Sequence, residues 1–176
     1  MVSRPVSRKS ASRSLGLALI AVCLIGAPAA ARAANNCAWI NEATSSGLLG
    51  GDAVGEVTPA VPGQPIVCTF TQMTDGGKRI LRISVEIAGD PHARLAVIEQ
   101  GCGPDATPLR AIGNEALICA ADDRKAGMGE RIVGRVRDQV FTITMTSTLK
   151  NDPILTRDIL KTRIYTAAEQ VSGNLF

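Results

Sequence analysis

The stretch that decides the fold reads IVCTFTQMTDGGKRILRISVEIA and spans Ile66 to Ala88. Its second half alternates apolar and polar residues, which is typical of a β-strand with one buried face. Asp75-Gly76-Gly77 supplies the residue types that tight turns favour. We therefore predict a hairpin with strands at 66–73 and 78–88. Its core face consists of Leu81, Ile83, Val85 and Ile87, while Arg82, Ser84 and Glu86 point the other way.

A second hairpin is predicted from Glu130–Arg137 and Val140–Ser147, with its turn at Asp138-Gln139. The second of these strands alternates apolar residues with threonines, so one of its faces is buried and the other is polar. The core face consists of Phe141, Ile143 and Met145, and the polar face of Thr142, Thr144 and Thr146. A further strand is predicted at Glu115–Ala121.

Three helices are predicted around these strands. The first spans about residues 37–51, is capped by Asn35 or Asn36 and ends at its glycine pair. A short helix begins at Asp90-Pro91, because aspartate caps a helix well and proline suits the first helical position. The longest helix spans about 151–171 and repeats this start. The buried positions predicted for the first helix are Trp39, Ile40, Ala43, Gly47 and Leu48.

The order of these elements predicts the fold class. Strands joined by tight turns and grouped between helices favour an α+β fold with an antiparallel sheet. We expect about five to six strands, packed with an N-terminal helix, a short middle helix and a long C-terminal helix. Two loops rich in proline and glycine, Thr58–Pro65 and Gly103–Pro108, connect the elements.

The first 33 residues are predicted to be a cleaved secretory signal. A basic leader without acids precedes the apolar run Leu15–Ala31, and Ala31-Arg32-Ala33 has small residues at the −3 and −1 positions. A membrane anchor is the alternative, but the run is short for a span, and Gly26 and Pro28 interrupt it. A lipoprotein signal at Cys23 would need a small residue where Val22 stands. We therefore expect residues 34–176 to form one periplasmic or secreted domain without a transmembrane span.

Removal of the leader changes the charge of the chain. Of its 19 basic residues five lie in the leader, which leaves 14 against 16 acidic residues in the mature domain. A slightly acidic domain gives no electrostatic argument for nucleic-acid binding. The three phenylalanines, one tryptophan and one tyrosine are few, so we expect a mostly aliphatic core.

The mature domain contains four cysteines: Cys37, Cys68, Cys102 and Cys119. An even number in an exported protein indicates two disulfides, whereas structural zinc sites favour pairs of closely spaced cysteines, which are absent here. Four cysteines allow three pairings, and chain order together with the predicted layout favours Cys37–Cys68 and Cys102–Cys119. Each bridge would stabilise the fold by roughly 3 kcal/mol in the chain-entropy model.

We find no sequence motif for catalysis, a metal or a cofactor. The chain lacks the serine-hydrolase elbow, the HExxH zinc motif, the P-loop and the dinucleotide fingerprint. Its only histidine, His92, lies at a predicted helix start, and Asp122-Asp123 is interpreted as a solvated turn. The sequence therefore predicts a protein that is not an enzyme and has no catalytic, cofactor-binding or metal-binding residues.

One surface has a composition that suggests binding. The sheet face opposite the core is expected to collect Arg82, Arg131, Arg135 and Arg137. The threonines of the second hairpin lie on the same face, with Glu86 as its one acid. Such a face can meet an anionic envelope component or an acidic protein. An ordinary solvated sheet face is the alternative interpretation.

The chain resembles a loose group of small exported bacterial proteins and lipoproteins of unknown function. The matching features are Cys37-Ala38-Trp39-Ile40, Leu48-Leu49-Gly50-Gly51, Val67-Cys68-Thr69-Phe70, Ile112-Gly113-Asn114-Glu115-Ala116 and the final helix. In actinobacterial members the first half of this pattern follows a lipidated cysteine, which is missing here, so membrane tethering does not carry over. The resemblance implies an α/β sandwich akin to PsbP-like domains and a Cys37–Cys68 bridge, and it supplies no activity.

These observations lead to two main functional hypotheses, and an enzyme whose site is assembled from residues distant in sequence is the third and least favoured. The first is a non-enzymatic binding or accessory domain for a protein or an anionic envelope component. The second is an inhibitor of an exported hydrolase of the protease or lysozyme class. Its contact would be the Thr58–Pro65 or the Gly103–Pro108 loop, since small disulfide-bonded domains present rigid loops.

Overall fold

The computed structural model describes residues 36–58, 61–121 and 127–176. The predicted signal at 1–33 and the Asp122-Asp123 turn lie outside the described residues. The helices are α1 (Glu42–Leu49), α2 (Pro91–Glu99) and α3 (Arg157–Leu175). The strands are β1 (Val54–Thr58), β2 (Ile66–Thr74), β3 (Gly77–Ile87), β4 (Thr107–Leu109), β5 (Glu115–Ala120), β6 (Met128–Val136) and β7 (Gln139–Ser147). No helix of the described part of the chain is long and apolar enough to cross a membrane.

The described strands form one antiparallel sheet in the order β1-β2-β3-β7-β6-β5-β4. The α+β class and the three helices are confirmed, but the predicted count of five to six strands is wrong because the sheet has seven. The two strands that the sequence does not indicate, β1 and β4, lie at the edges. β1 has Gly55 at its second position, and β4 is three residues long and contains Pro108. Edge strands are often short and lack strong apolar alternation.

Helices cover both faces of the sheet. We call the face that packs against α1 and α3 the inner face and the opposite one the outer face. The large core lies on the inner face, where Leu81, Ile83 and Phe141 pack with α3. A smaller cluster joins Leu95 of α2 to Val133 and Val140 on the outer face. The outer face is therefore only partly open, because α2 covers the end at β5 and β6.

Both disulfide pairings that chain order favours are present. Cys37 is bonded to Cys68 on β2, with 5.8 Å between the two Cα atoms. Cys102 is bonded to Cys119 on β5, with 5.4 Å between the two Cα atoms. The first bridge lies in the large core and the second in the smaller cluster. Each face of the sheet is thus covalently joined to the chain that covers it.

The start of α1 corrects the sequence interpretation. The capping residue is Asn41, whose Oδ1 accepts a hydrogen bond from the backbone N–H of Thr44 at 2.8 Å. Asn36 does not cap the helix, and Asn35 lies outside the described residues. The disulfide at Cys37 holds the preceding segment against the sheet, and the helix begins after it. Its end at Gly50 is confirmed, with a φ of 82° that glycine adopts at little cost. Trp39, Ile40 and Leu48 are buried as predicted, whereas Ala43 and Gly47 are exposed.

The start of α3 was also predicted too early. The helix begins after Thr156, whose Oγ1 accepts from the N–H of Ile159, and not at the predicted cap-plus-proline start Asn151-Asp152-Pro153. It ends at Leu175, beyond the predicted Val171. Asp152, the residue predicted to lie at the helix start, is only 5% exposed and faces the inside of the protein. Its carboxylate is needed there to pair with a buried arginine.

That arginine is Arg79 of β3, which is 3% exposed. Its Nε and Nη2 donate to the two carboxylate oxygens of Asp152 at 2.6 and 2.7 Å. Its Nη1 donates to Oε1 of Gln72 at 2.9 Å and to the carbonyl of Leu49 at 3.2 Å. A bidentate pair with these extra acceptors satisfies a guanidinium that would otherwise be costly to bury. The pair joins β2, β3, the end of α1 and the approach to α3.

The Asp152 carboxylate accepts further hydrogen bonds. Oδ2 accepts from the hydroxyl of Ser147 at 2.6 Å, and Oδ1 accepts from the backbone N–H groups of Ile154 and Leu155 at 2.9 Å each. Burial alone would raise the pKa of Asp152. The hydrogen bonds from Arg79, Ser147 and these N–H groups outweigh burial and hold its pKa well below the usual range.

We predict that Asp152→Asn lowers the free energy of unfolding at neutral pH by about 3–5 kcal/mol, because it leaves Arg79 buried without its counter-charge. Because the folded-state pKa is lowered, the wild-type contribution is present above the unfolded pKa of about 3.9 and is lost as the pH falls below it. Denaturant unfolding at a series of pH values measures both effects. The variant should lose this part of the acid dependence.

The matched control is Glu86→Gln. Glu86 forms a partly exposed ion pair with Arg94 at 2.6 Å, and such pairs contribute less than about 1 kcal/mol. A loss for Asp152→Asn no larger than that for Glu86→Gln would contradict the role assigned to the buried pair.

Candidate functional site

The open part of the outer face is formed by β2, β3 and β7. Across the sheet, Thr69 of β2 is paired with Arg82 of β3, Arg82 with Thr144 of β7, and Thr144 with Arg131 of β6. We call these four residues the Arg82 row. Adjacent strands lie about 4.8 Å apart and paired side chains share a face. The row therefore alternates hydroxyls and guanidinium groups across four neighbouring strands.

Arg82 is the exposed member of this row. It lies on a central strand whose neighbours on both sides are hydrogen-bonded, so its backbone position is fixed. Within the described residues it has no ion-pair partner. Arg131, at the other end of the row, is half-buried, and its buried Nε has no hydrogen-bond partner in the described part of the chain. Two of the four predicted arginines thus lie in one row.

Arg135 also lies on the outer face, but its charge is compensated. Its Nε donates to Oε1 of Glu115, and its Nη2 lies 2.8 Å from Nε2 of His92. Nδ1 of His92 lies 3.0 Å from the same carboxylate oxygen of Glu115. Because an arginine can only donate, Nε2 of His92 accepts and its Nδ1 carries the proton. These three residues fasten the start of α2 to the sheet.

Arg137 lies outside the face. Val136 is paired with Gln139, so the turn consists of Arg137-Asp138, one residue earlier than predicted. Arg137 has a φ of 55°, and its backbone N–H donates to Oδ1 of Asn114 at 2.7 Å. Its guanidinium carbon lies 5.8 Å from the centre of the Phe176 ring. The four arginines predicted to share one face therefore divide into three environments.

Five threonines surround Arg82 on the open part of the outer face. Their positions follow from the strand register and are Thr69, Thr71, Thr142, Thr144 and Thr146. All five are partly exposed. Thr69 and Thr71 were not singled out from the sequence, although the alternation with Cys68 and Phe70 could have placed them there. Their hydroxyl groups can donate or accept hydrogen bonds beside the guanidinium.

The acids near this face leave Arg82 uncompensated among the described residues. Glu86, the one acid expected there, is bonded to Arg94 of α2 at 2.6 Å. Glu56 is paired with Thr69 on the edge strand β1, one strand beyond the row, and is exposed. The sequence could not indicate Arg94 as a partner, because nothing in the pattern of α2 says on which face of the sheet it packs.

Elsewhere, the described part of the surface includes two further concavities. One, of about 580 Å³, is a shallow polar depression beside Cys37, Thr44 and Glu169. The other, of about 400 Å³, lies between the Val61–Gln64 turn and the strand end at Ile87, and Trp39 also lines it. We call the second the Trp39 cleft. Within the described residues no group of three or more histidine, cysteine, aspartate or glutamate side chains could hold a metal ion.

The two loops considered as inhibitor contacts are differently placed. Residues 59 and 60 of the Thr58–Pro65 loop lie outside the described part, and its residues 61–64 form one wall of the Trp39 cleft. The Gly103–Pro108 loop leads into β4. The chain matches no family model, no curated protein sequence and no solved structure.

Glu130 of β6 is a buried acid remote from the open face. It is 4% exposed on the inner face, beneath α3. Burial raises the pKa of its carboxyl above the usual value, and the positive charges of Lys161 and Arg157 offset part of this rise. Its environment is thus less favourable to the ionised form than water is.

We predict that Glu130→Gln stabilises the protein at neutral pH. Because the folded-state pKa is raised, the wild type is relatively stabilised below the unfolded pKa, and this contribution is lost as the pH rises through the folded pKa. Thermal unfolding of the two proteins at pH 7 and at about pH 4 measures the difference. The variant should have the higher midpoint at neutral pH and lose that advantage in acid. Equal midpoints at both pH values, or the opposite order at pH 7, would contradict the assignment.

Proposed function

We propose that the protein is a non-enzymatic binding domain, exported to the cell envelope, that captures an anionic partner on the open outer face. The observation that carries this proposal is the position of Arg82. Its guanidinium is exposed in the middle of a rigid sheet and has no counter-charge among the described residues. An exposed arginine on a fixed backbone is suited to bidentate recognition of a phosphate or carboxylate group.

The neighbours of Arg82 support the same proposal. Thr69 and Thr144 flank it on the adjacent strands, so hydroxyl donors lie on both sides of the guanidinium. Arg131 adds a second positive charge, roughly 10 Å away across two strand spacings. An anionic group bound at Arg82 would therefore receive charge-assisted and neutral hydrogen bonds from one flat surface.

The positions of the other arginines indicate which class of anionic partner fits this face. Arg94 and Arg135 are paired with Glu86 and Glu115, and Arg137 lies at the turn. The face thus offers a local positive site and lacks the long basic stripe that suits nucleic acid. A discrete anionic group fits better, such as a lipid phosphate, a cell-wall phosphate or the carboxylate of an acidic protein.

Binding is favoured over catalysis by the chemistry beside Arg82. Among the described residues, the adjacent strands contribute hydroxyls and no carboxylate or imidazole within one strand of the guanidinium. Threonine and arginine on a flat sheet recognise charge well, and they lack an adjacent base to activate a nucleophile.

We predict that Arg82→Glu weakens binding of the wild-type ligand by about tenfold or more, because charge-assisted hydrogen bonds contribute about 1.5–3 kcal/mol. Flotation with phosphatidylglycerol vesicles, retention on immobilised lipopolysaccharide and binding to cell-wall polymer measure the effect on three envelope anions. Neutral phosphatidylcholine vesicles serve as the blank.

The matched control is Arg137→Glu, which makes the same charge change at the turn. It should bind as the wild type does. Equal losses for both variants would show that net charge, and not the Arg82 row, governs binding. A wild-type protein that binds none of the three anions would reject the proposal.

A further inference from the structure

The Trp39 cleft lies on the other side of the sheet from Arg82. Ile66, Val85 and Ile87 line it, and their positions in β2 and β3 place them on the inner face, where the sheet ends. Trp39, which belongs to the large core, is 8% exposed at this position. The cleft is therefore a separate feature, and nothing bound there would contact the Arg82 row.

One wall of the cleft is a preformed turn. The backbone N–H of Gln64 donates to the carbonyl of Val61 at 2.9 Å, which closes a four-residue turn. Pro62 and Gly63 occupy its central positions, and Gly63 has a φ of 77°, the arrangement that proline followed by glycine favours. The opposite wall belongs to the sheet. Both walls thus have a defined backbone before any ligand arrives, which lowers the entropy lost on binding.

Two apolar side chains of the cleft are largely exposed to solvent. Ile87, predicted from the alternation of its strand to be buried, is 78% exposed, and Val61 is 47% exposed. Single exposed apolar residues are ordinary, but here they line one concavity together with a tryptophan. A ligand that removes them from water gains about 25 cal/mol for each Å² of apolar surface buried.

The charges of the cleft exclude one class of ligand. None of its lining residues is a cation, and the carboxylate of Glu86, its one acidic residue, is bonded to Arg94 on the outer face, away from the cleft. The other polar groups are the amides of Gln64 and Gln139. Nε2 of Gln139 donates to the carbonyl of Leu175 at 3.4 Å, which leaves Oε1 of the same amide to accept a hydrogen bond from a ligand. An anion would find no positive charge here, whereas a neutral molecule with an N–H or O–H group is suited.

We propose that the Trp39 cleft binds one neutral, mostly apolar small molecule that carries a single hydrogen-bond donor. The volume of about 400 Å³ lies at the lower end of the range for small-molecule sites. It suits a ligand of two or three rings or a short aliphatic chain. The apolar body lies between Val61 and Ile87, and the donor reaches the amide of Gln139.

A pair of fluorescent probes tests this assignment. N-phenylnaphthylamine is neutral and carries one N–H, and anilinonaphthalenesulfonate is the same ring system with a sulfonate added. Trp39 is the single tryptophan of the chain, so its emission reports binding beside it. We expect the neutral probe to saturate one site and quench Trp39, and the sulfonate to bind about tenfold or more weakly.

Substitutions locate the site. Ile87→Asp and Val61→Asp should each weaken the neutral probe by about tenfold or more, and both positions are exposed, so the fold tolerates them. The matched control is Val54→Asp on β1, which is 72% exposed and remote from the cleft, and it should bind as the wild type does.

Three results would overturn the proposal. These are the absence of saturable binding by the neutral probe, equal affinity for the two probes, and unchanged binding by both cleft variants. Arg82→Glu separates this proposal from the function proposed above, because that substitution should leave the neutral probe unaffected.

Discussion

The fold depends most on the buried ion pair between Arg79 and Asp152. Its hydrogen bonds reach β2, β7, the end of α1 and the chain that leads into α3. Burying two charges costs free energy, which offsets much of the attraction between them. A buried bidentate pair therefore contributes more to fixing the relative positions of the elements it joins than to net stability. It thus ties the end of α1 and the chain before α3 to the sheet. The helices of the inner face are thereby held in one arrangement on the sheet.

The two disulfides hold segments of the chain that the Arg79–Asp152 ion pair does not contact. Cys37–Cys68 holds the segment before α1 on the inner face and sets Trp39 beside the sheet end. Cys102–Cys119 holds the chain after α2 on the outer face. α2 then covers the β5 and β6 end of that face and leaves Arg82 and its flanking threonines open. The open outer face around Arg82 and the Trp39 cleft are consequently both bordered by elements whose positions are fixed. A binding surface with a fixed backbone loses less conformational entropy when a ligand binds.

Much of this fold is predictable from local patterns. The hairpin turn at Asp75-Gly76, the alternation in β3 and β7 and the Asp90-Pro91 helix start all act over a few residues, and the structure has each of them. Arg79 shows the limit. Arg79 lies two residues before Leu81 in the same strand, so the alternation places it on the buried face. Its partner Asp152 is 73 residues away in sequence, and no local pattern connects the two. By residue type and position, Asn36 and Asp152 are good candidates for helix caps. In the structure, the disulfide at Cys37 and the ion pair with Arg79 give these segments other conformations, and the helices begin later in the chain.

The sequence predicts which arginines and threonines lie opposite the core, but it does not predict which of them are exposed or paired with acids. Alternation places Arg82 opposite the core, and it cannot say that α2 covers part of the same face or that Glu115 compensates Arg135. Those facts depend on packing between distant elements.

A double-mutant cycle with Arg79→Met and Asp152→Leu, measured by denaturant unfolding, tests the central claim most directly. The account predicts that each single variant is much less stable than the wild type, that the double variant is more stable than either, and that the coupling energy exceeds about 2 kcal/mol. Additive losses, with a coupling energy near zero, would contradict it.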